Sequence, residues 1–81
     1  MGTVAILFGL IIIIHPDDHN PPHVHVWYGE KRAKFSILSG KKMNGSIPSS
    51  KVKIVQEFIS CYQEELLKMW NTKLYSILEK K

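Results

Sequence analysis

The stretch HPDDHNPPHVH, residues 15–25, holds all four histidines of the chain and three of its four prolines. His23 and His25 are two residues apart, so on a β-strand both imidazoles leave the same face, with Cα atoms roughly 6–7 Å apart. An imidazole titrates near neutral pH and can both accept and donate a proton. The spacing therefore predicts a site for acid–base chemistry, for metal binding or for ligand contact.

The acid–base chemistry needs no metal. His23 and His25 can transfer protons around a phosphodiester while Arg32 and Lys34 hold its charged oxygens. A metal-independent ribonuclease needs this arrangement of side chains. Small basic domains also reach it by chance, so contact residues without catalysis remain an alternative.

Metal binding uses the same two imidazoles. Asp18 can supply a third ligand from the neighbouring loop, with Asp17 or His19 as alternatives. The chain has only one cysteine and lacks the distant Cys or His pair of a structural zinc site. We therefore predict no bound cofactor and, if a metal binds, the ligand set Asp18, His23 and His25.

The loop before the two histidines also has a structural interpretation. Asp and Asn side chains stabilise turns by accepting backbone N–H bonds, so a scaffold role is favoured for Asp18 and Asn20. A catalytic role for Asp18 stays open, and His19 fits either role. Pro21 and Pro22 exclude a helix and stiffen the loop.

The segment HVHVWYGEKRAKFSI alternates about Gly29–Glu30, which predicts a two-residue β-hairpin turn with glycine leading. One face of this hairpin is then apolar, whereas the other is basic, aromatic and bears the imidazoles. Trp27 on the second face can stack on a base or anchor a binding surface. The predicted pairs are Tyr28–Lys31, Trp27–Arg32, Val26–Ala33, His25–Lys34, Val24–Phe35 and His23–Ser36.

Two further regions show regular patterns. Continuous apolar residues from Leu10 to Ile14 predict a strand covered on both faces, broken or bent before it at Gly9. Apolar residues recur at helical spacing from Val52 to Trp70, which predicts a helix with Ser49 or Ser50 as its N-cap. A short strand is expected around residues 42–44.

These elements predict one α+β domain over residues 1–81. A small antiparallel sheet of three to four strands, at about residues 3–45, packs against one long C-terminal helix at about residues 50–71. Residues 72–81 form a tail that either continues the helix or frays. A domain this small buries little surface, so self-association or a partner subunit can supply further burial.

Composition narrows the functional classes. A formal net charge of +4 favours anionic partners such as nucleic acid. The single cysteine, Cys61, is typical of a reduced, cytoplasmic protein. The apolar run VAILFGLIIII is shorter than the roughly 20 residues that span a bilayer, and neither a membrane segment nor a signal peptide is expected.

At DDHNPPHVHVWYGE the chain resembles the small prokaryotic family called domain of unknown function 4160. The resemblance covers about residues 3–71 and includes Gly9, Ala33, the GSIP segment and the helix ending EELLKMW. The chain departs from it at the apolar IIII run, where relatives often carry an arginine. The family signature matches Asp18, His19, Asn20, Pro21, Pro22, His23, His25, Tyr28 and Gly29.

The resemblance implies a partner and a role. Members of this family are commonly encoded beside a small protein of the domain of unknown function 2442 family, in a pairing that looks like a toxin–antitoxin module. We therefore predict a toxin-like component of a type II module that acts on RNA or translation and is neutralised by a cognate partner. Two alternatives are a non-catalytic protein-binding module and a metal-dependent hydrolase.

Overall fold

One twisted sheet carries most of the chain, and both helices follow it in sequence. The computed structural model describes residues 2–15 and 19–80, with only the backbone of residues 79–80. Over these residues the sheet order is β5-β4-β3-β2-β1-β6. The first five strands are antiparallel to their neighbours, and the short sixth strand runs parallel to the first. The elements are β1 (Gly2–Leu7), β2 (Leu10–Ile14), β3 (His23–Tyr28), β4 (Lys31–Ser36), β5 (Lys42–Gly45), α1 (Ser49–Cys61), α2 (Gln63–Thr72) and β6 (Glu79–Lys80).

The α+β class is confirmed, but the strand count of three to four was too low. The apolar run VAILFGLIIII forms a hairpin of β1 and β2 rather than one bent strand. Phe8 and Gly9 at its turn have φ angles of 51° and 81°, and two consecutive positive φ values match the right-handed twist of paired strands. Gly9 therefore reverses the chain, and β1 is an additional strand. The other uncounted strand is β6, whose two residues pair beside β1.

The β3–β4 hairpin has the predicted register at all six pairs, from Tyr28–Lys31 to His23–Ser36. Gly29 leads the turn with a φ of 59°, a conformation that glycine adopts without steric cost. The predicted short strand near residues 42–44 is β5. Because side chains alternate along each strand, this register fixes which residues share a face.

The helices cover one face of the sheet. Buried residues of α1 and α2, among them Val55, Leu66 and Trp70, join buried strand residues such as Ile12 and Phe35 in one apolar core. On the opposite face, within the described part of the chain, Trp70 of α2 contacts His23, the first residue of β3. The strand Leu10–Ile14 has the predicted bounds, and it is buried on both faces as expected, since Ile12 on the core side is 0% exposed and Ile13 on the other side is 1% exposed.

The predicted single long helix is two helices. Tyr62, with φ −117° and ψ 23°, interrupts the helix between Cys61 and Gln63. A straight helix over residues 49–72 would be about 36 Å long at 1.5 Å per residue, whereas the largest extent of the molecule is 31 Å. The break keeps both apolar faces on the sheet, and no proline or glycine marks it in the sequence.

The start of α1 also differs from expectation. Pro48 occupies the N-cap position, and no side chain caps the helix there. The Pro48 carbonyl accepts the backbone N–H bonds of Lys51 and Val52. Neither Ser49 nor Ser50 is the N-cap, because the helix already includes both.

Three polar side chains tie the helices to loops at both ends of the sheet. Lys51 of α1 donates to the Phe8 carbonyl at 3.1 Å. Gln63 of α2 donates to the carbonyls of Ile37 and Leu38 at 2.9 and 3.0 Å. Trp70 of α2 bonds to the loop before β3. These bonds hold the sheet and the helices in one orientation.

No described helix is long and apolar enough to cross a membrane.

Two glycines beside β5 provide a matched stability test. Gly45 and Gly40 have φ angles of 81° and 75°, and alanine at such angles costs roughly 1–2 kcal/mol. A Cβ atom at Gly45 would also collide with the Arg32 carbonyl oxygen, whereas a Cβ at Gly40 meets nothing within 4 Å. We expect Gly45→Ala to lower the free energy of unfolding by at least about 1 kcal/mol more than Gly40→Ala. Urea denaturation measures both, and equal losses would contradict the close approach of β5 to β4.

Candidate functional site

The side of the sheet opposite the apolar core is the open face. It carries predicted site residues in rows that run across the strands. In the middle row Ile13, His25, Lys34 and Asn44 lie side by side on β2 to β5. In the next row Ile11, Trp27 and Arg32 lie side by side on β2, β3 and β4. Directly opposed residues have Cβ atoms about 4.5–5.5 Å apart, so their side chains can act on one ligand.

Three histidines form a continuous group at one end of the open face. The ring centroids of His15 and His25 are 4.2 Å apart, with an interplanar angle of 79°. Those of His23 and His25 are 5.1 Å apart, at 63°. His25 is thus the central ring of this histidine row, and it contacts both of the others edge to face. His15 and His25 are partly exposed, so a ligand can reach both.

His23 is the most enclosed of the three. It is only 6% exposed, and its Nδ1 atom lies 2.9 Å from the Pro21 carbonyl oxygen. Since a carbonyl can only accept, Nδ1 carries the proton in this bond. The ring also lies 5.2 Å from the indole of Trp70. His23 is therefore held in place by the loop and by α2.

Polar atoms of the loop before β3 anchor it to the rest of the domain. The indole Nε1 of Trp70 donates to Oδ1 of Asn20 at 3.2 Å. The Pro22 carbonyl accepts the backbone N–H of Ile37 at 3.0 Å. Asn20, Pro21 and Pro22, predicted as the structural loop, thus contribute one side-chain and two carbonyl acceptors. These hydrogen bonds connect the loop to Ile37, which follows β4, and to Trp70 near the end of α2.

Trp27 and Arg32 form a stacked pair next to the histidine row. The guanidinium carbon of Arg32 lies 4.5 Å from the centre of the Trp27 ring, a cation–π distance. Arg32 also donates to the carbonyls of Gly29 at 2.7 Å and Lys31 at 3.0 Å. These two hydrogen bonds to the turn hold the guanidinium over the indole.

A groove of about 300 Å³ runs between these residues and β5. Its walls include His25, Trp27, Arg32, Lys34 and Asn44. The residues of β2, β3 and β4 on the open face include no aspartate or glutamate within the described ranges. Among these strand residues Arg32 and Lys34 therefore have no neighbouring carboxylate, an arrangement that favours an anionic ligand.

The structure brings together most of the predicted site residues, but not all of them. His23, His25, Trp27, Arg32 and Lys34 share the open face. His19 is exposed in the loop, and among the residues that the structure describes no ring contact joins it to the histidine row. Asp18, the other tentative catalytic residue, lies outside the described residues, as does Asp17.

The metal-ligand set Asp18, His23 and His25 stays a prediction for the same reason. Within residues 2–15 and 19–80 no group of three or more His, Cys, Asp or Glu side chains has an arrangement that could hold a metal ion. The histidine row is therefore not such a group.

Three residues of the site were not foreseen from the sequence. His15 was assigned only to the end of a strand, yet the Ile13–His25 pairing, continued by two residues, places it opposite His23. Asn44 was expected only as part of a short strand, and Trp70 only as part of the helical stripe. Extending the strand pairing to β2 and β5 would have found the first two. No sequence signal marks the Trp70 contact.

The protonation state of His23 is a direct test of this geometry. Because Nδ1 donates to Pro21, we expect the proton of the neutral imidazole on Nδ1 rather than on Nε2, the tautomer that usually predominates in solution. Long-range ¹H–¹⁵N correlation spectra at pH above neutrality distinguish the two tautomers. His19, which is exposed in the same loop, serves as the internal reference. An Nε2-protonated His23 would contradict the bond to Pro21.

The loop anchor predicts a matched pair of asparagine variants. Asn20→Ala removes the acceptor of the Trp70 indole, which is only 5% exposed, and should lower the free energy of unfolding by about 0.5–1.5 kcal/mol. Asn71→Ala, an exposed neighbour of Trp70 in α2, should change it by less than about 0.5 kcal/mol. Thermal or urea unfolding followed by tryptophan fluorescence measures both. Equal effects would mean that the bond does not hold the loop.

A comparison with known proteins identifies the family of this chain. The model described as Domain of unknown function (DUF4160) matches residues 9–71, which include β2 to α1 and nearly all of α2. No curated protein and no solved structure matches the chain. The matched range contains the loop, the hairpin and the anchoring tryptophan of the candidate site. The chain therefore belongs to the DUF4160 family.

Proposed function

We propose that this protein is the toxin-like component of a type II toxin–antitoxin module and acts on RNA or the translation machinery through its open face. The observation that carries the proposal is the histidine row beside Arg32 and Lys34 on the open face. The imidazole of His25 and the cations of Arg32 and Lys34 line one groove, and this combination suits a phosphodiester better than an uncharged ligand. The family resemblance described above supports the module and a cognate partner of the domain of unknown function 2442 type.

The chemistry at this face is proton transfer about a phosphodiester. One imidazole takes the proton of a ribose 2′-hydroxyl, whose oxygen then bonds to the adjacent phosphorus. The bond from phosphorus to the 5′-oxygen breaks, and a second, protonated imidazole gives its proton to that leaving oxygen. The products are a 2′,3′-cyclic phosphate and a free 5′-hydroxyl. Lys34 and Arg32 stabilise the negative charge that develops on the phosphate oxygens.

We propose different roles for the three rings, and their burial supports this division. His25 and His15 are partly exposed and 4.2 Å apart, so these two act on the ligand. His23 is enclosed and bonded to Pro21, so it orients His25 as a positioning residue. His19 and Asp18, tentative catalytic residues by sequence, are not needed for this chemistry.

A protein-binding module is the second candidate. The Trp27–Arg32 pair favours it, because tryptophan and arginine dominate many protein-binding hot spots. In that case the same face binds the partner protein and performs no reaction. The partner would then be the only ligand, and expression of this chain alone would leave growth unchanged.

Induced expression in a bacterial host separates the candidates. We expect wild type to arrest growth, His25→Ala and His15→Ala to abolish the arrest, and His23→Ala to weaken it. His19→Ala is the matched control in the same segment and should arrest growth as wild type does. Soluble protein level and thermal unfolding of each variant exclude loss of the fold as the cause.

The other outcomes each decide against a part of the proposal. Arrest by His25→Ala at the wild-type level would remove the histidine row from the mechanism. No arrest by wild type would favour the protein-binding module. RNA cleavage that EDTA abolishes and zinc or manganese restores would support the metal-dependent hydrolase instead.

A further inference from the structure

The groove beside β5 has a composition that proton transfer alone does not require. Its walls combine a stacked Trp27–Arg32 pair, the cation of Lys34 and the exposed amide of Asn44. Its volume of about 300 Å³ is at the lower end of the range for small-molecule sites, about 300–1,000 Å³. A single nucleotide is a ligand of this size.

The Trp27–Arg32 pair offers an indole and a guanidinium to such a ligand. Both an indole and a guanidinium plane stack on the faces of nucleobases. Arg32 is held by the carbonyls of Gly29 and Lys31, so the stacking surface is formed before any ligand arrives. Preformed surfaces cost less ordering entropy on binding.

Asn44 is the residue that can distinguish one base from another. It lies directly opposite Lys34 on the edge strand β5, so its amide and the Lys34 ammonium share one row. A carboxamide can donate to N7 and accept from the 6-amino group of adenine at the same time. Guanine presents two acceptors on that edge, N7 and O6, and the pyrimidines have no N7. Lys34 beside it is placed to bind the phosphate.

We propose that this groove binds one unpaired adenosine nucleotide of single-stranded RNA, with its base on the Trp27–Arg32 pair and its edge against Asn44. The inference rests on the proposed function, because it names the substrate class of the same face. Asn44 becomes the residue that sets base preference, and Trp27 the residue that supplies affinity for any base.

A duplex is the wrong substrate for this groove. Bases within an A-form helix are stacked on one another, and its deep, narrow major groove excludes side chains. Stacking on Trp27 requires a base that is free on one face. The protein therefore selects loops, linkers and other unpaired segments.

The test is equilibrium binding of labelled 2′-O-methyl oligonucleotides of about eight nucleotides, which the 2′-oxygen cannot cleave. Fluorescence anisotropy with oligo-A, oligo-U and oligo-C gives the dissociation constants. For wild type we expect oligo-A to bind roughly 5- to 150-fold more tightly than oligo-U, as a bidentate base contact allows. Asn44→Ala should remove that preference by lowering the affinity for oligo-A to that for oligo-U.

A base analogue isolates the contact. Replacing N7 of adenine by carbon removes the acceptor that Asn44 donates to. The analogue should weaken binding to wild type and have no further effect on Asn44→Ala, which is the signature of a direct interaction in a double-mutant cycle. Asn71→Ala, an exposed asparagine on α2, is the matched control and should behave as wild type.

Trp27→Ala tests the proposed stacking on the base, and Lys34→Ala tests the proposed contact with the phosphate. Trp27→Ala should weaken binding to every oligonucleotide by roughly 5- to 150-fold, whereas Phe8→Ala, at an aromatic residue that is 51% exposed in the β1–β2 turn, should not. Lys34→Ala should weaken binding and reduce its salt dependence, whereas Lys53→Ala on α1 should do neither.

The outcomes separate this inference from the proposed function. A base preference that survives Asn44→Ala, or affinity that survives Trp27→Ala, overturns the nucleotide site alone. Growth arrest that depends on His25 without any oligonucleotide binding also overturns it, and leaves action on another target. Binding of the partner protein but of no oligonucleotide, with no growth arrest, overturns both.

Discussion

The pairing of β3 with β4 is the constraint on which the open face depends. Side chains alternate with a period of two, so a slip of one residue would move His25 into the core and Val24 to the surface. The turn at Gly29–Glu30 fixes the register, and the burial of Val24, Val26 and Phe35 under the helices makes any other register costly. Local turn geometry and one-sided burial thus select the same arrangement. His25 reaches the surface because its neighbours Val24 and Val26 must be buried.

The second constraint is the contact between the loop before β3 and the end of α2, which lie far apart in the region that matches the DUF4160 model. Trp70, near the end of α2, contacts both Asn20 and His23. The loop that precedes β3 therefore has its position set by a residue 50 positions later in the chain. The break at Tyr62 belongs to the same arrangement, because it lets α2 lie along the sheet and carry Trp70 to the loop. A substitution in the helices that moves Trp70 would thus shift the histidine row, even where the substituted residue does not contact a histidine.

Local patterns predicted the parts of this structure that have local causes. The β3–β4 register, the two faces of that hairpin and the strand near β5 all follow from alternation and from glycine at the turns. The count of strands and the division of the helix did not follow. Phe8–Gly9 resembled a bend within an apolar run, and the break at Tyr62 arises from the limited length of the sheet beneath the helix. Of the site, the β3 and β4 residues were predicted, whereas His15, Asn44 and Trp70 depend on pairing between distant segments.

The position of the groove beside the last strand of the sheet has a consequence for the kind of molecule that it can hold. Asn44 lies on β5, and among the described residues no strand follows β5 on that side of the sheet. The described residues that line the groove all belong to strands β3 to β5. A polymer bound in the groove can therefore extend past β5. Such a site needs no free terminus and can be occupied at an internal position of a long strand, which distinguishes it from a pocket that captures chain ends.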